Sequence, residues 1–427
     1  MKLQSLLQSN LQQIKVTVSD HRGVVFLCLT IFITSVGMGA ISPVLPLFVD
    51  QEYHVSRTQI GLAVGLFGMA RLVTSLPAGY LTQRYGRKFV LGVGTAINLL
   101  GAAMVAVSFS FVWLLVWRLV SGLGASMYTT GVSVYLHDVA TSDNRARFLS
   151  LQEMSILVGQ SLGPVTGGYI GEHFGLRTPL YLQAGLIAVA LVTLLLLVPE
   201  SRPDRQSTPT RNQPRRAGNS RAQIAPPGSL RRLLLSPGFV FVGLFSLMIV
   251  ANRQGGRFSI MPLYGEAKGF RPDQLGAFIS VTHFPQFFTT MAAGFLSDRF
   301  GRKFTIVPAV VLIILGIIVF SRGGTLLELM FSGVLLGLGE GLAGPPSVAF
   351  FADIAPPGLE GVTMGFYRTF GGVGSVVGAL LLGGVADLAG FAWSLGVDAV
   401  LLGAAALGMM LLVRETAGRR AGRANDS

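Results

Sequence analysis

The chain has 427 residues, of which 51% are hydrophobic and only 12% charged, and its mean hydropathy is +0.60. Soluble proteins carry roughly 25% charged residues to cover their surface, so a cytosolic globule is excluded. The net charge of +13 is not gathered on a polar domain, which excludes a nucleic-acid surface, and the single cysteine, Cys28, excludes an intrachain disulfide and any Cys/His metal spacing.

The leader, residues 1–23, is polar with Leu3, Leu6, Leu7 and Leu11, and suits either a short interfacial helix or disorder. Beyond it come apolar stretches of the length that a helix needs to cross about 30 Å of hydrocarbon. They predict spans near 24–48, 58–82, 89–110, 112–137, 147–170 and 179–198, which make a first half over 24–199. Residues 200–237 then lose apolar character and carry eight arginines among prolines and serines, the signature of a flexible linker. A second half over 238–413 holds spans near 238–263, 273–297, 303–321, 325–351, 361–386 and 391–413, and residues 414–427 form a tail. The expected fold is all-α: twelve transmembrane helices in two six-helix halves.

Orientation is expected from the positive-inside rule. With both termini and the linker on the cytoplasmic side, that side holds 23 of the 33 Lys and Arg, the opposite loops hold 5, and 5 lie within spans.

An internal repeat follows the second and eighth spans. AGYLTQRYGRKF at 78–89 and AGFLSDRFGRKF at 293–304 are identical at eight of twelve positions, with Ala78 aligned on Ala293. The same offset aligns Gly122 and Gly124 with Gly337 and Gly339, and Asp138 with Asp353. The halves are duplicates, related as parallel repeats about an axis along the membrane normal.

With these motifs the sequence resembles the major facilitator superfamily over all but the leader, linker and tail. Its loop pattern is met in full by Gly294, Leu296, Asp298, Arg299, Gly301, Arg302 and Lys303. The first copy, Gly79, Leu81, Arg84, Gly86, Arg87 and Lys88, has Gln83 at the acidic position. Glycines there allow tight turns between helix ends, while arginines and the acid form charge-assisted bonds able to break and reform; a plain positive-inside anchor is the alternative for Arg87 and Lys88. In span five, Gly159, Gly163, Pro164, Gly167 and Gly168 resemble the antiporter signature of the superfamily's drug:proton exporters, although small residues four apart also serve ordinary helix packing. Arg118 with Gly122 and Gly124 in span four, and Pro43 and Pro46 in span one, resemble the same group.

Ionisable groups inside a membrane are expensive and mark candidate sites. The arginines are Arg71, Arg118, Arg253, Arg257 and Arg368; the acids are Glu340 in span ten, Asp398 in span twelve and Glu153 in span five. Each charge could instead serve only to pair two helices. The resemblance places spans one, four, seven and ten around a central cavity, so Arg118, Arg253, Arg257 and Glu340 are expected on the path, with Arg71 a further substrate candidate. Glu340 stands between Gly339 and Gly341 and is the first candidate for proton coupling, with Asp398 second. Span one carries no acid before Asp50, where some relatives of that group have one.

No phosphate-cradling loop is present, and no enzyme signature. What the resemblance implies is a secondary transporter of the plasma (inner) membrane, acting as a monomer without cofactor. It exports small amphipathic or drug-like molecules against protons by alternating access. An organic-anion or metabolite transporter of the same fold is one alternative, and a transport-inactive membrane sensor is another.

Overall fold

In hydrocarbon a backbone must satisfy its own hydrogen bonds, so apolar runs of this length become helices. The computed structural model describes residues 22–141, 144–200, 229–413 and 415; the leader, most of the linker and the tail lie outside them.

The described chain is helical throughout. Span one is split into α1 (Arg22–Ile41) and α2 (Val44–Tyr53). The rest of the first half is α3 (Arg57–Tyr85), α4 (Arg87–Ala106), α5 (Phe111–Val139), α6 (Arg145–Phe174) and α7 (Thr178–Leu197). After a short α8 (Ser229–Leu234), span seven runs from α9 (Pro237–Ala251) through a π-helical stretch, Asn252–Ile260, to α10 (Met261–Ala267). The second half closes with α11 (Pro272–Phe300), α12 (Arg302–Arg322), α13 (Leu326–Ile354), α14 (Glu360–Ala389) and α15 (Phe391–Leu412). The predicted spans agree with these helices to within about one turn, except that span one continues to Tyr53.

Among the described residues, nine helices are long and apolar enough by themselves to cross a membrane. The other three long helices, α3, α6 and α11, carry more polar groups. They belong to the helices through which the halves meet: α6 packs on α11, and α3 on α14.

Several ends and breaks have local causes. Pro43 has no N–H, and Ser42 turns back onto the Gly39 carbonyl through both its N–H (3.0 Å) and its hydroxyl (2.7 Å), which interrupts span one. Ser56 with Gln59 and Thr325 with Glu328 form capping boxes at the starts of α3 and α13. The turns after α3, α6, α11 and α14 hinge on Gly86, Gly175, Gly301 and Gly390, with φ of 103°, 89°, 106° and 92°, a region that side chains disfavour. These four also form two pairs related by the repeat offset, Gly86 with Gly301 and Gly175 with Gly390. Gly79 and Gly294, expected to help the turns, lie inside helices instead, and a Cβ at either would meet nothing.

One apolar core lies wholly in the second half, and another in the first half near the face where the linker leaves. A third joins the halves on the opposite face, where Ile41, Leu45, Phe48 and Val64 pack with Leu263 and Leu275. The halves are therefore sealed on the face away from the linker.

Candidate functional site

Close contact between the halves runs from that sealed side to the level of Gly68 and Ser375, midway along α3 and α14. On α6, a Cβ at Gly168 would overlap the backbone of α11 at Pro272 and Gly276, and the Val165 N–H donates to Ser280 Oγ at 3.1 Å. On α14, Gly383 sits as tightly on Arg57 and Thr58 of α3. The Asp387 carboxylate caps the start of α3 from across the interface, accepting from Arg57 N (2.8 Å), Thr58 N (3.0 Å) and Thr58 Oγ1 (2.6 Å). Arg57 returns a bond to the Ala386 carbonyl at 2.7 Å and lies over the Phe391 ring. Beside this latch Gln51 Nε2 donates to Glu266 Oε1 at 2.6 Å, joining two positions related by the repeat offset.

Toward the linker face the halves part around a continuous space. A central cavity of about 410 Å³ is walled by Met38, Ile41, Phe67 and Phe258 with Arg118, Arg257 and Glu340 among its polar groups. It continues into a vestibule of about 780 Å³ that reaches Arg87 and Asp138 at the linker face and includes Arg253 and Arg368.

On the cavity wall Arg257 Nη2 lies 3.0 Å from Glu340 Oε2, both side chains nearly solvent-free at 1% and 4% exposure, and Arg257 Nη1 donates to Thr282 Oγ1 at 3.1 Å. Glu340 Oε1 has no hydrogen-bond partner. Of the span arginines Arg253, Arg257 and Arg368, Arg257 lies within ion-pairing distance of Glu340. The flanking glycines are packing positions: Gly339 sits against α12 at Ala309 and Ile313, and Gly341 against α11 at Gln286 and Thr289. His283, also on the cavity, pairs with Gln286 at 3.1 Å. Asp398 lines neither space; it is buried behind span seven, where Asn252 Nδ2 donates to it at 2.6 Å and Gly256 leaves room for its carboxylate. Here the π-helical stretch widens the helix, as such stretches often do at sites of function.

Arg118 reaches the cavity from the other half. Its Nε donates to the Ala63 carbonyl at 3.2 Å and its guanidinium lies over Phe67, but no carboxylate among the described residues is within ion-pairing distance. Arg253 and Arg368 have no acid partner among the described residues either. The side chains of Arg71 and Gln83 lie outside the described residues.

At the linker face the repeat is kept atom for atom. Arg87 Nε pairs with Asp138 at 2.5 Å, and Arg302 Nε with Asp353 at 3.3 Å. Glu200 accepts from Arg87 N and Lys88 N at the start of α4, as Glu415 does from Arg302 N and Lys303 N at the start of α12. Arg302 also bonds Asp298 at 2.6 Å, and Lys303 Nζ bonds the Met410 carbonyl at 2.8 Å. Arg84 and Arg299 stack over Tyr85 and Phe300. All these bonds stay within one half. Glu200 and Glu415 are related by the repeat offset too, and that offset is the signal for them in the sequence.

The span-five motif faces span one along most of its length. Gly159 sits on Phe32 and Ser35, Gly163 on Val36 and Gly39, and Gly167 on Ala40, while Pro164 lies against Gly39 and presents its carbonyl to Gly276 of the other half.

Two matches to the family model described as Major Facilitator Superfamily, at residues 27–282 and 254–427, cover nearly the whole chain. An MFS-type transporter of Methanocaldococcus jannaschii is 23% identical over 87% of this chain and 93% of its own. The quinolone resistance protein NorA of Staphylococcus aureus is 24% identical over 86% of this chain and 91% of its own. Among solved structures, the nucleoside transporter NupG superposes with a TM-score of 0.73 at 17% identity, over 92% of this chain and 99% of that one. A bacterial homologue of the lysosomal transporter Spinster does so with a TM-score of 0.75 at 15% identity, over 92% and 97%. An all-helical fold around one cavity, two family matches and full-length relatives together establish that the chain belongs to the Major Facilitator Superfamily and is a membrane transporter, not an enzyme.

Proposed function

We propose that the protein exports small amphipathic, drug-like molecules in exchange for protons, by alternating exposure of the central cavity. The observation that carries this reading is Glu340 in the wall of that cavity, one oxygen on Arg257 and the other without a partner. A carboxylate at that place accepts either a proton or the cationic part of a substrate. When one excludes the other, binding of substrate from one side and of protons from the other becomes an exchange. The resemblance of the span-five and span-four motifs to drug:proton exporters and the likeness to NorA support the choice of substrate.

The charge asymmetry of 23 to 5 supports a plasma-membrane topology with both termini and the linker in the cytoplasm. The cavity of this conformer then opens inward. The protein works as a monomer, since one chain supplies both halves of the path.

Glu340→Gln in proteoliposomes tests the proposal. The expected variant is folded, has lost transport driven by a pH gradient and still exchanges substrate across the membrane. Wild-type pH dependence in this variant would remove Glu340 from the mechanism, and loss of folding alone would leave it as a structural ion pair.

A second reading, an organic-anion substrate, is favoured by Arg118, Arg253 and Arg368, which reach the path without acid partners among the described residues. It reverses a sign: an anion near Glu340 binds better as pH falls, whereas a cation competing with the proton binds worse.

A further inference from the structure

We infer that the central cavity recognises a zwitterionic amphiphile, its carboxylate held by Arg118 in the first half and its ammonium by Glu340 in the second. The inference rests on the proposed proton exchange at Glu340 and adds the other end of the substrate.

The two groups are complementary in what they lack. Arg118 is 6% exposed, nine-tenths buried, and among the described residues only the Ala63 carbonyl accepts a bond from it. Its two terminal nitrogens form the fork that matches a carboxylate, and they meet no acceptor among the described residues on the cavity they line. A cation so placed is costly unless an anion joins it. Span one, which packs on α5 in the same half, carries no acid before Asp50 that could fill this role. Glu153 lines the same cavity but forms no ion pair with Arg118.

Glu340 is also 6% exposed, and its Oε1 accepts nothing, while Oε2 lies 3.0 Å from Arg257 Nη2, a nitrogen that, like Nε, makes no well-aligned hydrogen bond. The Oε1 lone pair is open to an ammonium N–H. The same cavity also presents apolar side chains, Met38, Ile41, Phe67 and Phe258 among them. The volume of about 410 Å³ is that of a drug-sized ligand site. A molecule with opposite charges at the ends of a flat apolar body satisfies all of these groups. It also bridges the halves, so that loading joins the walls that must move together. A simple cation leaves Arg118 uncompensated, and a simple anion leaves Glu340 Oε1 without a partner.

The test is calorimetric titration of the purified full-length protein at neutral pH with three probes on one naphthalene body: an aminomethyl-naphthoate with the charges at opposite ends, naphthylmethylamine and naphthoate. The wild-type protein should bind the zwitterion at least about tenfold more tightly than either singly charged probe, the gain of one charge-assisted contact. Arg118→Gln should remove that advantage and tighten naphthylmethylamine, because a repelling charge is gone. Arg118→Lys, which keeps the charge but not the fork, should fall between, and thermal melting confirms that each variant is folded. Equal affinity for the zwitterion and either singly charged probe in the wild type overturns the inference, as does an unchanged zwitterion affinity in folded Arg118→Gln. Proton release on binding, read from buffers of different ionisation enthalpy, separates the two levels. Release with naphthylmethylamine but no preference for the zwitterion sinks the inference and keeps proton exchange. A clear preference with no release in any titration sinks exchange at Glu340 and keeps the Arg118 contact.

Discussion

The latch on the sealed face gives a quantitative handle on the conformational balance. Asp387 of α14 accepts three hydrogen bonds from Arg57 and Thr58 at the start of α3, at 2.6 to 3.0 Å, and these cross the interface between halves. The latch exists only while that face is closed, so its strength enters the equilibrium between the two exposures of the cavity. Asp387→Asn keeps the shape and one acceptor oxygen but removes the charge. Bonds to a charged acceptor contribute about 1.5–3 kcal/mol against about 0.5–1.5 for neutral ones. The carboxylate also opposes the positive end of the α3 dipole, worth about 0.3–1 kcal/mol at an exposed position. Asp387 is exposed to water, which screens part of both terms. A net loss of about 2 kcal/mol follows, or roughly a 30-fold shift toward the state that opens away from the linker. Spin labels at Leu149 on α6 and Val362 on α14, both exposed near the linker face, with Cys28 replaced, report the separation of the halves. The long distance of the wild type should give way to a shorter one in Asp387→Asn. Distributions that superpose would show that the latch does not decide the balance.

Other expectations follow from the same geometry. Gln83→Asp restores the acid missing from the first loop copy and should shift the same spin-label distances toward linker-side closure, by about 1–2 kcal/mol for one charge-assisted bond; an unshifted distribution refutes it. Leucine at Gly163 or Pro164 forces α6 away from α1 and α11, and transport should fall several-fold while membrane expression holds; unchanged rates in both would make the motif ordinary packing. Cysteines placed at Arg215 and Arg423, which lie outside the described residues, should resist membrane-impermeant reagents in intact cells, and labelling of either would invert the topology.

The spans were legible because hydrocarbon thickness dictates their length, and the duplicated loops because eight identities at one offset announce themselves. The break in span one was only hinted at by Pro43. The π-helical stretch gave no periodic signal; Asp398 and the Gly378 backbone pack against it from two other helices, far away in sequence. Which arginine holds Glu340 is a distance between spans seven and ten, and Asp387 meets Thr58 across 329 residues of chain. No local pattern encodes either.

Where the repeat is kept and where it is lost divides the molecule by task. Arg87, Asp138 and Glu200 recur at the repeat offset as Arg302, Asp353 and Glu415, and all six bind within their own half. The turn glycines recur in the same way. The groups on the cavity do not: Arg118 corresponds to Gly333, Glu340 to Ala125, Arg257 to Ser42, and the buried Asp398 to Gln183. The latch is also one-sided. The positions matching Arg57 and Thr58 are Pro272, which has no N–H to offer, and Asp273, which would repel Glu172 at the place of Asp387. A carrier built as two equal halves would bind a symmetric ligand and favour neither exposure. With no copies of Arg118 and Glu340, the two halves present different charges to the cavity, and on the proposed mechanism the single latch would favour one of its two exposures. The retained pairs tie helix ends within each half, and the divergent groups are the ones that face the cavity and the closed interface.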